Sequence, residues 1–509
     1  MKHVQIRSIA AAAGAFFALA ALFPLEASAY EVPVQIPHTL VDQVGYRVDG
    51  EKTVILRGED IVDSFSLRDA GSGETVWSGS LYQSGYTDSA TGEKGRYASF
   101  NDFRTPGQYV IFNDTLGESF SFRIDEDPYA ALFEDSCKVF YRNRCGLTLT
   151  EALAGEDAHS ACHVDAATLQ SDPSVTMDVS GGWHLNAAAD RDVAVGCSIV
   201  EELLLAYELS PEAFSDETRI PESGNGIPDI LDEVRYEIEW LLRMQEERSG
   251  GVYGSAVTRG LRVHATDAEL LSARVEVTSV SENASIAFAA ALARFGYDYR
   301  QVDADFARTC LRAADRAFRY YETGTASQRK QQGVMAAPER FLAAALLYRA
   351  TGGGSYRSVM EEYFQQENFA DSFMEEEALF HGGIVYLDTR QSQDTAVCNM
   401  LMQALIRGAE QIAEESRMSA WLVCSDKDTG TLLRRAVQLR VADHVIYNYE
   451  YTTIIEDHIH YLLGRNPQAM NLVTTDTEWT YRDVAGTTGV LTDPVSAARF
   501  ISLISVTRR

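Results

Sequence analysis

The sequence predicts two unlike domains, a small β-sandwich followed by a large all-helical domain. Two observations carry that prediction. From residue 31 to about residue 127, short runs of β-branched and aromatic residues alternate with turn residues. Beyond Asp125-Glu126-Asp127-Pro128, long stretches with helical periodicity take over. At 509 residues the chain exceeds what one core holds and suffices for one small and one large domain.

The strand candidates are Val32-Pro33-Val34-Gln35-Ile36, Thr53-Val54-Ile55-Leu56-Arg57, Phe65-Ser66-Leu67-Arg68, Tyr109-Val110-Ile111-Phe112 and Phe120-Ser121-Phe122-Arg123-Ile124. Pro33 cannot donate to a ladder, which confines the first to a sheet edge. Asp-Ala-Gly, Pro-Gly and Leu-Gly-Glu separate the runs with turn chemistry. Runs this short and close together suit a sandwich of about 100 residues. Its boundary falls at residues 125–128, where charge wants water and proline stops a strand.

Helical periodicity then marks residues 197–209, 227–245, 284–295, 306–321, 338–351, 395–416, 451–463 and 494–506. The 197–209 stretch is apolar around much of its circumference, as a buried inner helix requires. The 227–245 stretch opens with Pro228, and Asp229, Asp232 and Glu233 complement the positive end of its dipole. Each stretch has to pair with a neighbour, so a closed ring or an open stack of helix hairpins is expected.

Residues 1–29 have the form of an export signal. Lys2 and Arg7 precede an apolar run at 11–23, and Ala27-Ser28-Ala29 supplies small residues for cleavage. That run is shorter than the roughly 20 residues a membrane-spanning helix needs. The expected location is therefore secreted, periplasmic or extracellular. Acidic residues outnumber basic ones by 74 to 44, a formal charge of −30, which disfavours nucleic acid and anionic lipid as partners. Seven cysteines are scattered without a Cys-x-x-Cys pair, and no His-Glu-x-x-His string occurs, so zinc has little support. Cys137 and Cys145 are close enough in sequence to pair in an oxidising compartment.

Several strings go beyond pattern. They are Phe140-Tyr141-Arg142-Asn143-Arg144-Cys145-Gly146, Ala161-Cys162-His163, Gly181-Gly182-Trp183 and Leu203-Leu204-Leu205-Ala206-Tyr207-Glu208. Pro221-Glu222-Ser223-Gly224-Asn225-Gly226-Ile227-Pro228-Asp229-Ile230-Leu231-Asp232-Glu233 is the longest, and Gly250-Gly251-Val252-Tyr253 and Tyr461-Leu462-Leu463-Gly464-Arg465-Asn466-Pro467 follow. In this order they resemble glycoside hydrolase family 9, which includes many cellulases. The resemblance implies an (α/α)6 barrel over residues 128–509, with a cleft for β-glucan at its helix ends. Residues 30–127 resemble the immunoglobulin-like module that often precedes that barrel.

Glycoside hydrolysis by inversion needs one carboxyl group to protonate the leaving oxygen and another to activate water. The family's base loop reads Gly-Gly-Trp-Tyr-Asp-Ala-Gly-Asp. Here it reads Gly181-Gly182-Trp183-His184-Leu185-Asn186-Ala187-Ala188, which puts Leu185 at the assisting Asp and Ala188 at the base. The family's acid falls at Gly489-Val490. No counterpart of its His-Pro-His-His-Arg segment follows Leu472-Val473-Thr474, and residues 469–494 are too few for the usual cleft loops. No residue is therefore assigned as catalytic.

Asp190 and Asp192 lie nearest the lost base and are the candidate substitutes. No spacing selects an acid among Glu450, Asp457, Asp476, Glu478, Asp483 and Asp493. Trp183, His184, Tyr253, Trp479 and Tyr481 are candidate sugar contacts, since flat rings cover the apolar faces of glucose units. His163-Val164-Asp165 resembles a polar loop beside the family's cleft and is read as structural. Asp443-His444 and Asp457-His458-Ile459-His460 contain ligand types, but His458 and His460 do not share a helix face. No metal is assigned. Oxygen-rich turns are compatible with structural calcium, as in some family members, without an EF-hand loop.

The resulting expectation is an exported cellulase-like protein, non-catalytic or very weakly active, that binds a β-glucan-like polysaccharide or a secreted protein partner. An active hydrolase with displaced carboxylates and a rigid surface scaffold are the alternatives.

Overall fold

The computed structural model describes residues 37–508, apart from 59, 88–91, 93, 261–265, 333–336, 426–427 and 474–488. The export signal, the Val32–Ile36 strand candidate, Asp476, Glu478, Trp479, Tyr481 and Asp483 lie outside the described residues.

Two antiparallel-rich sheets build the immunoglobulin-like sandwich. One sheet orders the strands Thr39–Leu40, Thr53–Arg57, Lys94–Ser99 and Tyr82–Thr87. The other orders Gly45–Arg47, Phe122–Asp125, Gly107–Asn113, Ser64–Asp69 and Thr75–Ser80, and its first pair is parallel. Alternate residues Phe65 and Leu67, Tyr109 and Ile111, and Phe122 and Ile124 fill the space between the sheets. The strands Thr75–Ser80, Tyr82–Thr87 and Lys94–Ser99 are additions to the sequence reading. Gly79 lies inside one of these strands, where Trp77 covers it: a Cβ there would stand 2.5 Å from the Trp77 ring.

The last strand ends at Asp125, and the first helix of the barrel begins at Ala130. Helices Val193–Leu209, Glu282–Asp298, Pro338–Thr351 and Glu377–Asp388 pack side by side in that order. Pro494–Ile504 and Thr429–Val445 continue the ring from the other flank of Val193–Leu209. Gln438 Nε2 donates to Met374 O at 2.8 Å, tying Thr429–Val445 back to the segment before Glu377. These six are the inner layer of an (α/α)6 barrel. Amphipathic helices such as Asp229–Arg243 and Thr395–Met418 form its outer layer.

Inner helices are buried on nearly every side, and the sequence shows why each starts where it does. Asp192 caps Val193–Leu209 by accepting from Val195 N, and Asp493 caps Pro494–Ile504. Pro338 opens its helix in the first turn, and Gly352, at φ 70°, ends it. Glu377–Asp388 escaped the sequence reading because Gly382-Gly383 lies at its centre. A Cβ on Gly382 would meet Phe341 at 2.6 Å, so the pair permits a close approach to Pro338–Thr351. Thr429–Val445 escaped because it carries buried Gln438, Arg440 and Asp443. Arg440 is satisfied by Ser502 Oγ at 3.1 Å and Ser210 Oγ at 2.9 Å.

The sandwich shares the barrel's core: Leu40, Ile55 and Tyr97 pack in one apolar cluster with the helices. Asp42, fully buried, anchors the junction. Its carboxylate faces His460 Nδ1 at 2.9 Å and accepts from Tyr129 Oη at 3.0 Å. Arg465 pairs with Asp457 Oδ1 at 2.7 Å and donates to Thr53 O at 3.2 Å. The string Gly464-Arg465-Asn466-Pro467 is thus both a helix stop and a domain anchor. Asp457 and His460 serve this junction, and His458 Nε2 accepts from Cys424 N at 3.2 Å. Among the described residues, no helix is long and apolar enough to cross a membrane.

Candidate functional site

The base loop leads directly into the inner helix Val193–Leu209. Gly181 and Gly182 adopt φ 104° and 76°, which an L side chain resists, and a Cβ on Gly182 would lie 2.7 Å from the Trp240 ring. Trp183 is driven inward by this turn. Its N–H donates to Glu237 Oε2 at 2.8 Å and its Nε1 donates to Glu233 Oε1 at 2.7 Å. Arg144 in turn holds Glu233 and Glu222. Trp183 and His184, read as sugar contacts, are fully buried instead and present no ring face to a polymer. Tyr253 is half-buried in a strand pairing with Val280, beside the diglycine turn.

Past Trp183 the loop closes on itself. Leu185 N donates to Asp190 O at 2.9 Å, and Asn186 Oδ1 accepts from Ala188 N at 2.9 Å and Asp190 N at 3.1 Å. Ala188 therefore sits in a turn held by backbone and amide groups. Asp190 Oδ1 accepts from Thr258 N at 2.8 Å and Oδ2 from Asn186 Nδ2 at 3.2 Å. Asp192 Oδ1 caps the helix at 3.0 Å from Val195 N, while Oδ2 accepts from Ser255 Oγ at 2.7 Å. All four oxygens of the two candidate substitutes bond to the loop's own supports. At the other position, Val490 begins a 3-10 turn and is buried, with its N–H bonded to Leu472 O at 2.7 Å.

The same loop closes a site that the sequence reading discounted. Cys145, Cys162, His163 and His184 are all buried, and their ligand atoms lie within 4.8 Å of one another. The two sulfurs are 3.8 Å apart, Cys145 Sγ is 3.6 Å from His163 Nδ1, and Cys162 Sγ is 3.6 Å from His184 Nε2. Bonds of ~2.3 Å to sulfur and ~2.05 Å to nitrogen on a tetrahedron require edges of about 3.8 and about 3.6 Å. The donor set and spacing fit zinc. His163 adopts φ 49°, a backbone state uncommon for a non-glycine residue. A neighbouring thiol and the Gly146 N–H bring the Cys162 thiol down to about 7, towards the thiolate that ligates. With four protein donors, such a site is closed and structural. The geometry does not support a Cys137–Cys145 disulfide, because all seven cysteines are free thiols and Cys145 faces Cys162.

A cavity of about 330 Å³ opens among the N-terminal halves of the inner helices, lined in part by Ser198, Glu201, Glu202, Glu339, Glu377 and His381. Glu377 and His381 are one helical turn apart on one face. Glu202 comes from Val193–Leu209, opposite them in the ring. Sequence reasoning missed this group because ring closure, not local spacing, assembles it. Burial pushes the Glu202 carboxyl up to about 8 and the His381 ring down to about 4, and cationic neighbours hold Glu377 well below the usual range.

Residues 129–479 match the glycosyl hydrolase family 9 profile, and residues 35–118 match that of the cellulase N-terminal ig-like domain. The chain is 27% identical over 480 residues to a cellodextrinase of Butyrivibrio fibrisolvens, covering 87% of this chain and 86% of that protein. It is 26% identical over 478 residues to a xyloglucan-specific endo-beta-1,4-glucanase of Bacteroides ovatus, covering 85% and 80%. A metagenome-derived glycoside hydrolase family 9 endoglucanase superposes with a TM-score of 0.80 at 23% identity, over 92% of this chain and 98% of that one.

Proposed function

The chain belongs to glycosyl hydrolase family 9, and from that premise we propose an exported, cellulase-like protein that binds a β-glucan-type polysaccharide and hydrolyses it very weakly or not at all. One observation carries the reading. Leu185 and Ala188 occupy the base loop, and the nearest carboxylates, Asp190 and Asp192, are fully engaged in holding that loop. General acid and general base catalysis each contribute about 10²–10⁴-fold, and hydrocarbon side chains at both positions supply neither.

The substrate class rests on the relatives, whose names specify cellodextrin, xyloglucan and cellulose-type β-1,4-glucans. Cys145, Cys162, His163 and His184 would hold a zinc ion that ties the base loop to the end of the Ala130–Arg142 helix and to the loop at Cys162. When bound, the ion supplies cross-linking.

Native affinity electrophoresis through gels containing cellulose derivative, mixed-linkage β-glucan or xyloglucan tests the binding. Retardation in at least one glucan gel, without product, supports the reading. Unretarded migration in all of them would leave the scaffold alternative.

A further inference from the structure

The cavity among the inner helix N-termini is more than a vestige of a cleft. Glu202, 1% exposed, and Glu377 reach towards each other from helices on opposite sides of the ring, and His381 joins them from the turn after Glu377. One ligand atom from each lies within 4.8 Å of the others.

Arg499, on a third inner helix, bonds both carboxyl groups: its Nε donates to Glu202 Oε1 at 2.8 Å, and its Nη2 donates to Glu377 Oε1. That arrangement fixes the two acids side by side and takes one oxygen from each. Glu202 Oε2 is left buried with no hydrogen-bond partner. His381, 7% exposed, has no hydrogen bond to any described residue, and it lines the cavity. His381 thus brings an unshared ring nitrogen to the cavity beside the paired carboxyl groups.

We infer that Glu202, Glu377 and His381 form a binding site for one divalent metal ion, held in position by Arg499 and open to the barrel cavity. Ligands of an ion with bonds of roughly 2.0–2.2 Å stand no more than ~4.0–4.4 Å apart, and the three donor atoms already lie within 4.8 Å of one another. Two carboxylates and an imidazole suit manganese, iron or zinc, whereas thiolates select against manganese. Three protein donors leave coordination positions free on the cavity side, whereas the Cys145 cluster has none. This site does not depend on whether the protein hydrolyses glucan.

Titration of the full chain with manganese(II), after loading with one equivalent of zinc to fill the thiolate site, provides the test. Electron paramagnetic resonance reads free manganese. The expected isotherm saturates at one manganese per chain, and added zinc displaces it. His381→Ala and Glu377→Gln should each weaken binding by about 100-fold or more, as loss of a ligand exceeds the 10–100-fold loss typical of its supporting partners. Their zinc content and circular dichroism should match the parent. No saturable manganese binding by the parent protein up to millimolar metal would overturn the site, whatever the variants do. So would parental affinity in both variants.

Discussion

Cys145 Sγ stands 3.8 Å from Cys162 Sγ, with His163 and His184 completing a buried tetrahedron. A disulfide requires about 2.05 Å, so the separation excludes one and matches two thiolates on a common ion. Purified protein should therefore contain one zinc at this site, and a strong chelator should lower its Tm by about 5 °C or more, since a ligand that binds only the folded state stabilises it. Cys162→Ser should show the lowered Tm without chelator. Unchanged melting after complete removal of metal would count against the site.

Asp192 caps an inner helix, and Asp190 pins the base loop to Thr258. Asp192→Ala should cost about 1 kcal/mol, the usual loss of an N-cap, measured by denaturant unfolding. Asp190→Asn and Asp192→Asn should leave glucan turnover at the parental baseline. Turnover present in the parent and abolished in either variant would instead assign a displaced carboxylate to catalysis.

Glu237 receives the Trp183 N–H while buried, and desolvation raises its carboxyl from 4.5 to about 8. The folded state keeps its proton over a range in which the unfolded chain loses it. This group therefore makes stability fall as pH rises from about 4.5 to about 8, and the cost is constant above that window. Glu237→Gln removes the titration and retains an acceptor for Trp183. Parent and variant should melt most alike near pH 4 to 5, and the variant should gain progressively towards pH 8. A pH-independent difference in Tm would refute the assignment.

Asp42 accepts from Val44 N at 2.8 Å, Gly45 N at 2.9 Å and Tyr129 Oη at 3.0 Å while it faces His460. Asp42→Ala strands these buried groups at the sandwich–barrel junction, and a loss of about 3 kcal/mol or more is expected. Thermal unfolding followed by both far-ultraviolet circular dichroism and tryptophan fluorescence measures it. Tm within 1–2 °C of the parent would show that the junction is not held there.

Most of the fold was legible because its signals are local. Pro228 with Asp229 and Asp232 marks one helix start, and the continuous apolar circumference at 197–209 marks an inner helix. The two missed inner helices each have a tertiary cause: Gly382 is pressed against Phe341, and Arg440 finds hydroxyls on two other segments. The departure from the family's string at positions 185 and 188 is readable in the sequence. The contacts that form around those positions are not. Trp183 turns inward only because Gly182 lets Trp240 close over it, and the Cys145 cluster draws its donors from separate loops without a regular spacing. Glu377 and His381 carry a visible four-residue interval, but Glu202 meets them only once the ring is closed.

Whether a proton can be moved at the base loop and at Gly489-Val490 decides whether this protein hydrolyses glucan, and reducing-end release measures it. Zinc-replete protein would be incubated with cellohexaose, carboxymethylcellulose and xyloglucan, and new chain ends counted over hours. Release is expected to be indistinguishable from that of a heat-denatured control, or slower by orders of magnitude than the typical ~1–10³ per second of enzymes. Turnover within that range on any of these glucans, proportional to protein concentration, would contradict it.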